Sequence, residues 1–186
     1  MNANSMVTSV ALLRGINVGS ANRMTMAALT QVFTGLGYVD VRTILQSGNV
    51  VFDSPRPLGP SATIALEDEL ANATGVQARM LIIDAARFLE IAAANPLEAI
   101  ADDPSRMVIT FLDAAPPAGL HIPHASDLKP EVLAIGDAAI YQWCPLGVSK
   151  SKVPPKFFRQ LGANATARNQ RTVARIAAML PGSAAN

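Results

Sequence analysis

Past Asp137 this chain contains no acidic residue. The stretch from Ala138 to Asn186 carries only Lys150, Lys152, Lys156, Arg159, Arg168, Arg171 and Arg175 as charged side chains, formally +7. The residues before it hold eight Lys/Arg against all 14 Asp/Glu, formally −6, so the total of +1 hides a chain divided by sign. An acid-free basic segment is a candidate seat for a phosphate-bearing partner. Cysteine is as scarce. Cys144 stands alone, which excludes an internal disulfide framework and a cysteine-based zinc site. No apolar run approaches the roughly 18–20 residues that span a bilayer. The start, Met1 to Ser9, is short and polar without a basic lead, which argues against a secretory signal. These absences together lead us to expect a cytoplasmic protein with no membrane partner.

What is present suits a packed core. Half of the 186 residues are hydrophobic and only 16% are charged, while aromatics are held to 5%, so Ala, Val, Leu and Ile must supply most of that core. The length fits one larger domain or two small ones. Met6 to Leu13 is short, apolar and β-branched, and reads as a buried strand. Thr25 is an N-cap for a helix using Leu29, Val32, Phe33 and Leu36, stopped by Gly37. Val39, Val41, Thr43 and Leu45 alternate, Ser47-Gly48-Asn49 turns, and Val50 to Phe52 returns as a hairpin arm. Ser61 is expected to cap a second helix burying Leu66, Leu70 and Ala73, with Gly75 after its end. Val76, Ala78, Met80 and Ile82 alternate as a fourth strand. The order β-α-β-β-α-β is the ferredoxin-like arrangement.

The second half echoes it in part. Asp84 caps a third helix ending near Asn95-Pro96, and Met107 to Leu112 is another buried strand. Asp113 to Pro130 is proline-rich and irregular. Val132 to Ile135 and Ala139 to Trp143 form a hairpin, Pro155 to Leu161 a short helix, and Ala167 to Leu180 a longer one. The expected fold is α+β: two ferredoxin-like (α/β-plait) modules packed together, residues 1–83 and 84–186, the second incomplete or decorated.

Three polar segments stand out. They are Leu12-Leu13-Arg14-Gly15-Ile16-Asn17-Val18-Gly19, then Leu45-Gln46-Ser47-Gly48-Asn49-Val50-Val51-Phe52, then Thr166-Ala167-Arg168-Asn169-Gln170-Arg171-Thr172-Val173. Between the last two lie Tyr141, Pro145-Leu146-Gly147 and Ser149-Lys150-Ser151-Lys152. In these segments the chain resembles the bacterial domain of unknown function 1697 family (DUF1697), from about Val7 to Leu180. It departs from that pattern at Ser20, Ala167 and Gln170, where a glycine, a threonine and a tryptophan are usual. The resemblance implies two α/β-plait modules and no established activity.

Each candidate has a plain structural reading beside the functional one. The Arg14 to Gly19 loop can present backbone N–H groups and a guanidinium to an anion, or Arg14 can clamp loop carbonyls. It lacks the Walker and dinucleotide spacings, so no cofactor is expected. Gln46 to Asn49 is most simply a turn in which Gly48 and Asn49 tolerate positive φ, leaving Gln46 as the better ligand contact. Whether these two loops meet is open at this level. Arg168, Arg171 and Arg175 share one face of the expected last helix. Thr166, Arg168 and Asn169 would sit at its N-terminus, where free N–H groups attract anions. Lys150, Lys152 and Lys156 suit phosphate contact or a solvated basic loop. A serine–lysine nucleophile is disfavoured there, because no partner carboxylate is evident. His121 and His124 would suit a metal only on a helix, and Pro123 lies between them. Tyr141 and Trp143 share a strand face and are read as packing rather than base-stacking residues.

The leading expectation is non-catalytic binding of an anionic ligand, nucleic acid or nucleotide first. Arg14, Asn17, Gln46, Asn49, Lys150, Lys152, Arg168 and Asn169 would carry it. The alternatives are an enzyme acting on a small phosphorylated or carboxylated substrate between the modules, and a self-assembling module whose basic face meets an acidic one.

Overall fold

A computed structural model describes residues 6–17 and 22–182. Val18, Gly19 and Ser20, to which the sequence assigned the end of the anion loop, lie outside the described residues. The chain is mixed α+β with two four-stranded antiparallel sheets. It divides into two compact units. The first runs to Phe88 and takes back the chain from Ile176, and the second is Leu89–Arg175.

In the first unit, β1 (Val7–Arg14), α1 (Met26–Gly35), β2 (Val39–Ile44), β3 (Asn49–Ser54), α2 (Pro60–Thr74) and β4 (Arg79–Asp84) follow the order read from the sequence. The sheet order is β2-β3-β1-β4. Ala11, Leu13, Val50, Phe52 and Met80 join Leu29, Val32 and Phe33 of α1 and Leu66 and Leu70 of α2 in one core. Phe52 meets Phe33 and Tyr38 edge-on, with ring centroids 4.9 and 5.0 Å away. Such contacts contribute about 0.5–1.5 kcal/mol each beyond area burial. Val10, Leu12 and Val51, on the opposite sheet face, are also fully buried. This is why β1 reads as a continuous apolar run rather than an alternation.

Local signals set the ends. The Thr25 hydroxyl accepts from the Ala28 N–H at 3.1 Å, as its N-cap role requires. The expected Ser61 cap is not used. The α2 helix starts two residues earlier, with Gly59 at the N-cap and Pro60 in its first turn, because proline needs no donor there and its φ is preset. Gly75 ends α2 in the left-handed region at φ 72°.

The second unit contains α3 (Ala85–Ala93) from Leu89 on, β5 (Met107–Phe111), α4 (Ala125–Leu128), β6 (Val132–Ile135), β7 (Ala139–Trp143), α5 (Pro155–Arg159), β8 (Thr166–Asn169) and most of α6 (Gln170–Ala177). Its sheet order, β6-β7-β5-β8, repeats that of the first sheet strand for strand. Here the sequence reading is corrected. Thr166 to Asn169 is a fourth strand paired with β5 and not the opening of the last helix. Four residues with no apolar alternation gave no strand signal; pairing with the buried β5 imposes it. Every residue of β7 is buried. Ile140 packs with Leu112, Leu128, Val153, Phe157 and Leu161 on one side, and the Tyr141 hydroxyl donates to the Ile91 carbonyl at 2.7 Å on the other. Tyr141 and Trp143 are thus core residues.

Gly48 offers a direct test of the first unit. It sits at φ +73°, and a Cβ there would fall 2.5 Å from Ile16 Cδ1 and 2.8 Å from Leu13 Cβ. Gly48→Ala is expected to cost about 2–4 kcal/mol, through left-handed strain and overpacking together. Urea unfolding should show a clearly lowered midpoint, and an unchanged midpoint would refute this packing.

Candidate functional site

The two polar loops of the first unit do meet. The Leu13 N–H donates to the Gly48 carbonyl at 2.8 Å, which seats the β2–β3 turn against the end of β1. Asn17 then locks the junction. Its Nδ2 donates to the Gln46 carbonyl at 2.7 Å and the Met24 carbonyl at 3.1 Å, and its Oδ1 accepts from the Met24 N–H at 2.9 Å. Asn17 holds φ 53°, a region asparagine tolerates better than most side chains. Asn49 does similar work from below. It lies in β3, fully buried, and its Nδ2 donates to the Ile44 carbonyl at 2.8 Å and to Ser47 Oγ at 3.0 Å. The positive φ expected at Asn49 is taken instead by Leu45, at 60°. Leu45 is held there because Asn49 grips the carbonyl before it and Asn17 the carbonyl after it. Both amides therefore point their donors into the fold. Arg14 and Gln46 keep exposed side chains, Arg14 at the end of β1 opposite Arg79 and Gln46 at the turn.

In the second unit the organising group is one the sequence did not single out. Glu131 is 7% exposed, and both its carboxylate oxygens are engaged. Oε1 accepts from Gln142 Nε2 and, at 2.8 Å, from the Ser151 hydroxyl, while Oε2 accepts from the Lys152 N–H at 2.7 Å. Ser151 Oγ in turn accepts from Gln142 Nε2 at 2.9 Å and from the Val153 N–H at 3.1 Å. The partner carboxylate that seemed missing for the serine–lysine segment is therefore present. It binds the serine as a structural anchor, while the Lys152 ammonium donates to the Lys129 carbonyl at 2.5 Å. Cys144 lies beside this carboxylate, with Sγ 3.6 Å from Oε1. Burial, and then the Glu131 charge and hydrogen bond, push its thiol up to about 12.

Above this anchor is a pocket of about 210 Å³. His121, His124, Lys152, Lys156 and Asp127 supply its polar lining, with Pro123, Leu128, Pro154 and Phe157 as apolar wall and floor. Leu128 and Phe157 are buried core residues, so the floor is fixed. Both sides are also pinned. The His121 N–H donates to Gln160 Oε1 at 3.0 Å, tying the irregular segment to α5, and Glu131 holds the main chain at Lys152. The histidines lie in extended chain before α4, which is why their spacing carried no signal. Among the described residues no group of three or more His, Cys, Asp or Glu is placed to hold a metal ion. Lys150 lines the neighbouring crevice over Glu131 and Cys144 and is not part of this pocket.

The basic tail is less open than its composition suggested. Arg168 lies on strand β8, so it is not aligned with Arg171 and Arg175 along a helix. Its Nη1 donates to Thr166 Oγ1 at 3.1 Å and the Ala167 carbonyl at 2.8 Å. Burial pulls the guanidinium down to about 10, still charged at neutral pH. Asn169 is itself the cap of α6, its Oδ1 accepting from the Thr172 N–H at 2.9 Å. Arg171 lies 3.9 Å from Asp103. The Asp103 carboxyl is held below its usual range, chiefly by hydrogen bonds from the Ser105 hydroxyl and N–H and then by Arg106 and Arg171.

Comparison with known proteins agrees with this architecture. The family model described as a protein of unknown function (DUF1697) matches residues 6–141. The chain is also similar to the conserved bacterial protein SP0830 from Streptococcus pneumoniae, at 26% identity and a TM-score of 0.66, over 94% of this chain and 99% of that one. No curated protein matches the sequence.

The thiol supplies a test of the Glu131 cluster. With Cys144 buried and its pKa about 12, it should not react with a disulfide reagent at pH 8 while the protein is folded. It should react fully in denaturant. Rapid reaction of the native protein would contradict the cluster as described.

Proposed function

We propose a function from the geometry alone for a chain that belongs to the DUF1697 family, whose description assigns none. The protein binds a small anionic ligand, and the second unit's pocket is the seat. The observation that carries this reading is the gathering of Lys152, Lys156, His121 and His124 around one fixed apolar floor. Two ammonium groups and two imidazoles offer donors to a phosphate or carboxylate, against one opposing carboxylate, Asp127. Of the residues chosen from sequence, Lys152 stays at the centre of the site. Asn17, Asn49 and Asn169 have side-chain partners in the main chain and fit a supporting role. Arg14 and Gln46 form a separate exposed pair in the first unit.

Binding is favoured over catalysis by the chemistry of the nearest nucleophiles. Cys144 is buried and holds its proton, and Ser151 is committed to Glu131. A nucleic-acid partner has thinner support, since Arg171 is drawn to Asp103 and Arg168 is half-buried on a strand. We read each unit as ferredoxin-like, with the module boundary at the end of β4 near residue 84. The shared strand order supports that, as do helices following the first and third strands of each set. A cytoplasmic setting, with its phosphorylated small molecules, suits the reading.

Calorimetric titration with inorganic phosphate at low salt tests it. Lys152→Gln with Lys156→Gln should weaken binding about tenfold or more, the loss of one or two charge-assisted hydrogen bonds. Arg171→Gln should leave it unchanged. Both lysines are exposed, so thermal unfolding should barely move. Steeply salt-dependent retention on single-stranded DNA, lost in Arg171→Glu, would favour the polymer reading instead.

A further inference from the structure

We infer that the pocket takes a small phosphomonoester on a short carbon backbone, rather than a nucleotide or a stretch of polymer. This rests on the anionic-ligand reading above and narrows it. Size is the first argument. A volume of about 210 Å³ is below the roughly 300–1,000 Å³ of pockets that enclose drug-sized ligands. The part of a ligand that it covers is one phosphoryl group and a few further heavy atoms, so a base and a ribose would lie outside it.

The lining is the second argument. The hydrogen-bond donors come from two segments, His121 and His124 from the chain before α4, and Lys152 and Lys156 from the chain at α5. A phosphoryl group with three acceptor oxygens can take donors from both. Pro123, Leu128, Pro154 and Phe157 make the rest of the surface apolar, so it gains from a body with C–H surface. Asp127 is the single carboxylate on the lining. It disfavours a second anionic group on the ligand and can accept a hydrogen bond from a hydroxyl. Its own Oδ1 already accepts from Ser126 at 3.2 Å, which leaves the other oxygen for a ligand.

Both walls are clamped by hydrogen bonds. The Gln160 amide holds the main chain at His121 through two bonds, of 3.0 and 3.4 Å, and Glu131 holds it at Lys152. A nucleotide's base would project past these clamped walls without apolar cover.

The full chain should be titrated by calorimetry with inorganic phosphate, glycerol 3-phosphate, glycerol and adenosine 5′-monophosphate. Glycerol 3-phosphate is expected to bind about tenfold tighter than inorganic phosphate, the scale set by a few carbon atoms in an apolar pocket. It should also bind about tenfold tighter than the nucleotide, whose base and ribose lie outside the apolar floor. Glycerol alone should not bind, and Lys156→Gln should weaken glycerol 3-phosphate about tenfold. If the nucleotide binds as tightly, with the same dependence on Lys156, the size inference is overturned and the anion site stands. If inorganic phosphate binds as tightly as glycerol 3-phosphate, the carbon body contributes nothing and the inference again fails. If none of the anions binds, the anionic-ligand reading falls with it.

Discussion

The second unit is organised by one buried carboxylate. A glutamate side chain removed from water is costly unless each oxygen finds donors. Glu131 finds them in Gln142 on β7 and in Ser151 and the Lys152 N–H on the following loop. Satisfying that one group fixes the loop to the sheet. It adds to the burial that raises the Cys144 thiol to about 12, and it sets the chain direction at Lys152, Val153 and Pro154. The helix α5 follows at once, carrying Lys156 to the pocket and Phe157 to its floor. The cationic lining is therefore a consequence of where a negative charge was buried. This is also why the acid-free tail matters less as a total than through Lys152 and Lys156, the two lysines that line the pocket.

The first unit uses neutral amides for the same purpose. Asn17 and Asn49 replace missing main-chain partners where β1 and the β2–β3 turn converge, and Gly48 permits the close approach of Ile16 and Leu13. Buried polar networks specify geometry only when every member is satisfied. Each donor of these two amides has a partner, so they act as joints of the fold. The exposed surface they support belongs to Arg14 and Gln46.

The parts of the molecule that were legible in the sequence are those governed by local rules. The β-α-β-β-α-β order of the first unit follows from apolar periodicity, the Thr25 cap and the glycines after each helix. Strand β8 was not legible, since Thr166-Ala167-Arg168-Asn169 has no alternation and becomes a strand only through β5. Reading it as a helix start led to an anion site on N–H groups, one of which Asn169 itself occupies. The candidate site was half legible. Charge alone points to Lys152 and sets the lysine loop beside phosphate. The spacing of His121 and His124 speaks only to metal ligation, and nothing in it says that extended chain brings them to one pocket with Lys152 and Lys156. Glu131 gave no signal, as burial of a glutamate is a property of the pairing between β6, β7 and the loop beyond.

The claim that Glu131 builds the anion site can be measured on one substitution. Glu131→Gln keeps the shape and removes the charge, and it puts a donor where an acceptor is needed. Inorganic phosphate titrated into this variant should bind about tenfold or more weakly than to the parent protein. Hydrogen exchange at the Lys152 amide should quicken while β1 and β3 stay protected. Unchanged phosphate affinity with a slow Lys152 amide would contradict the account.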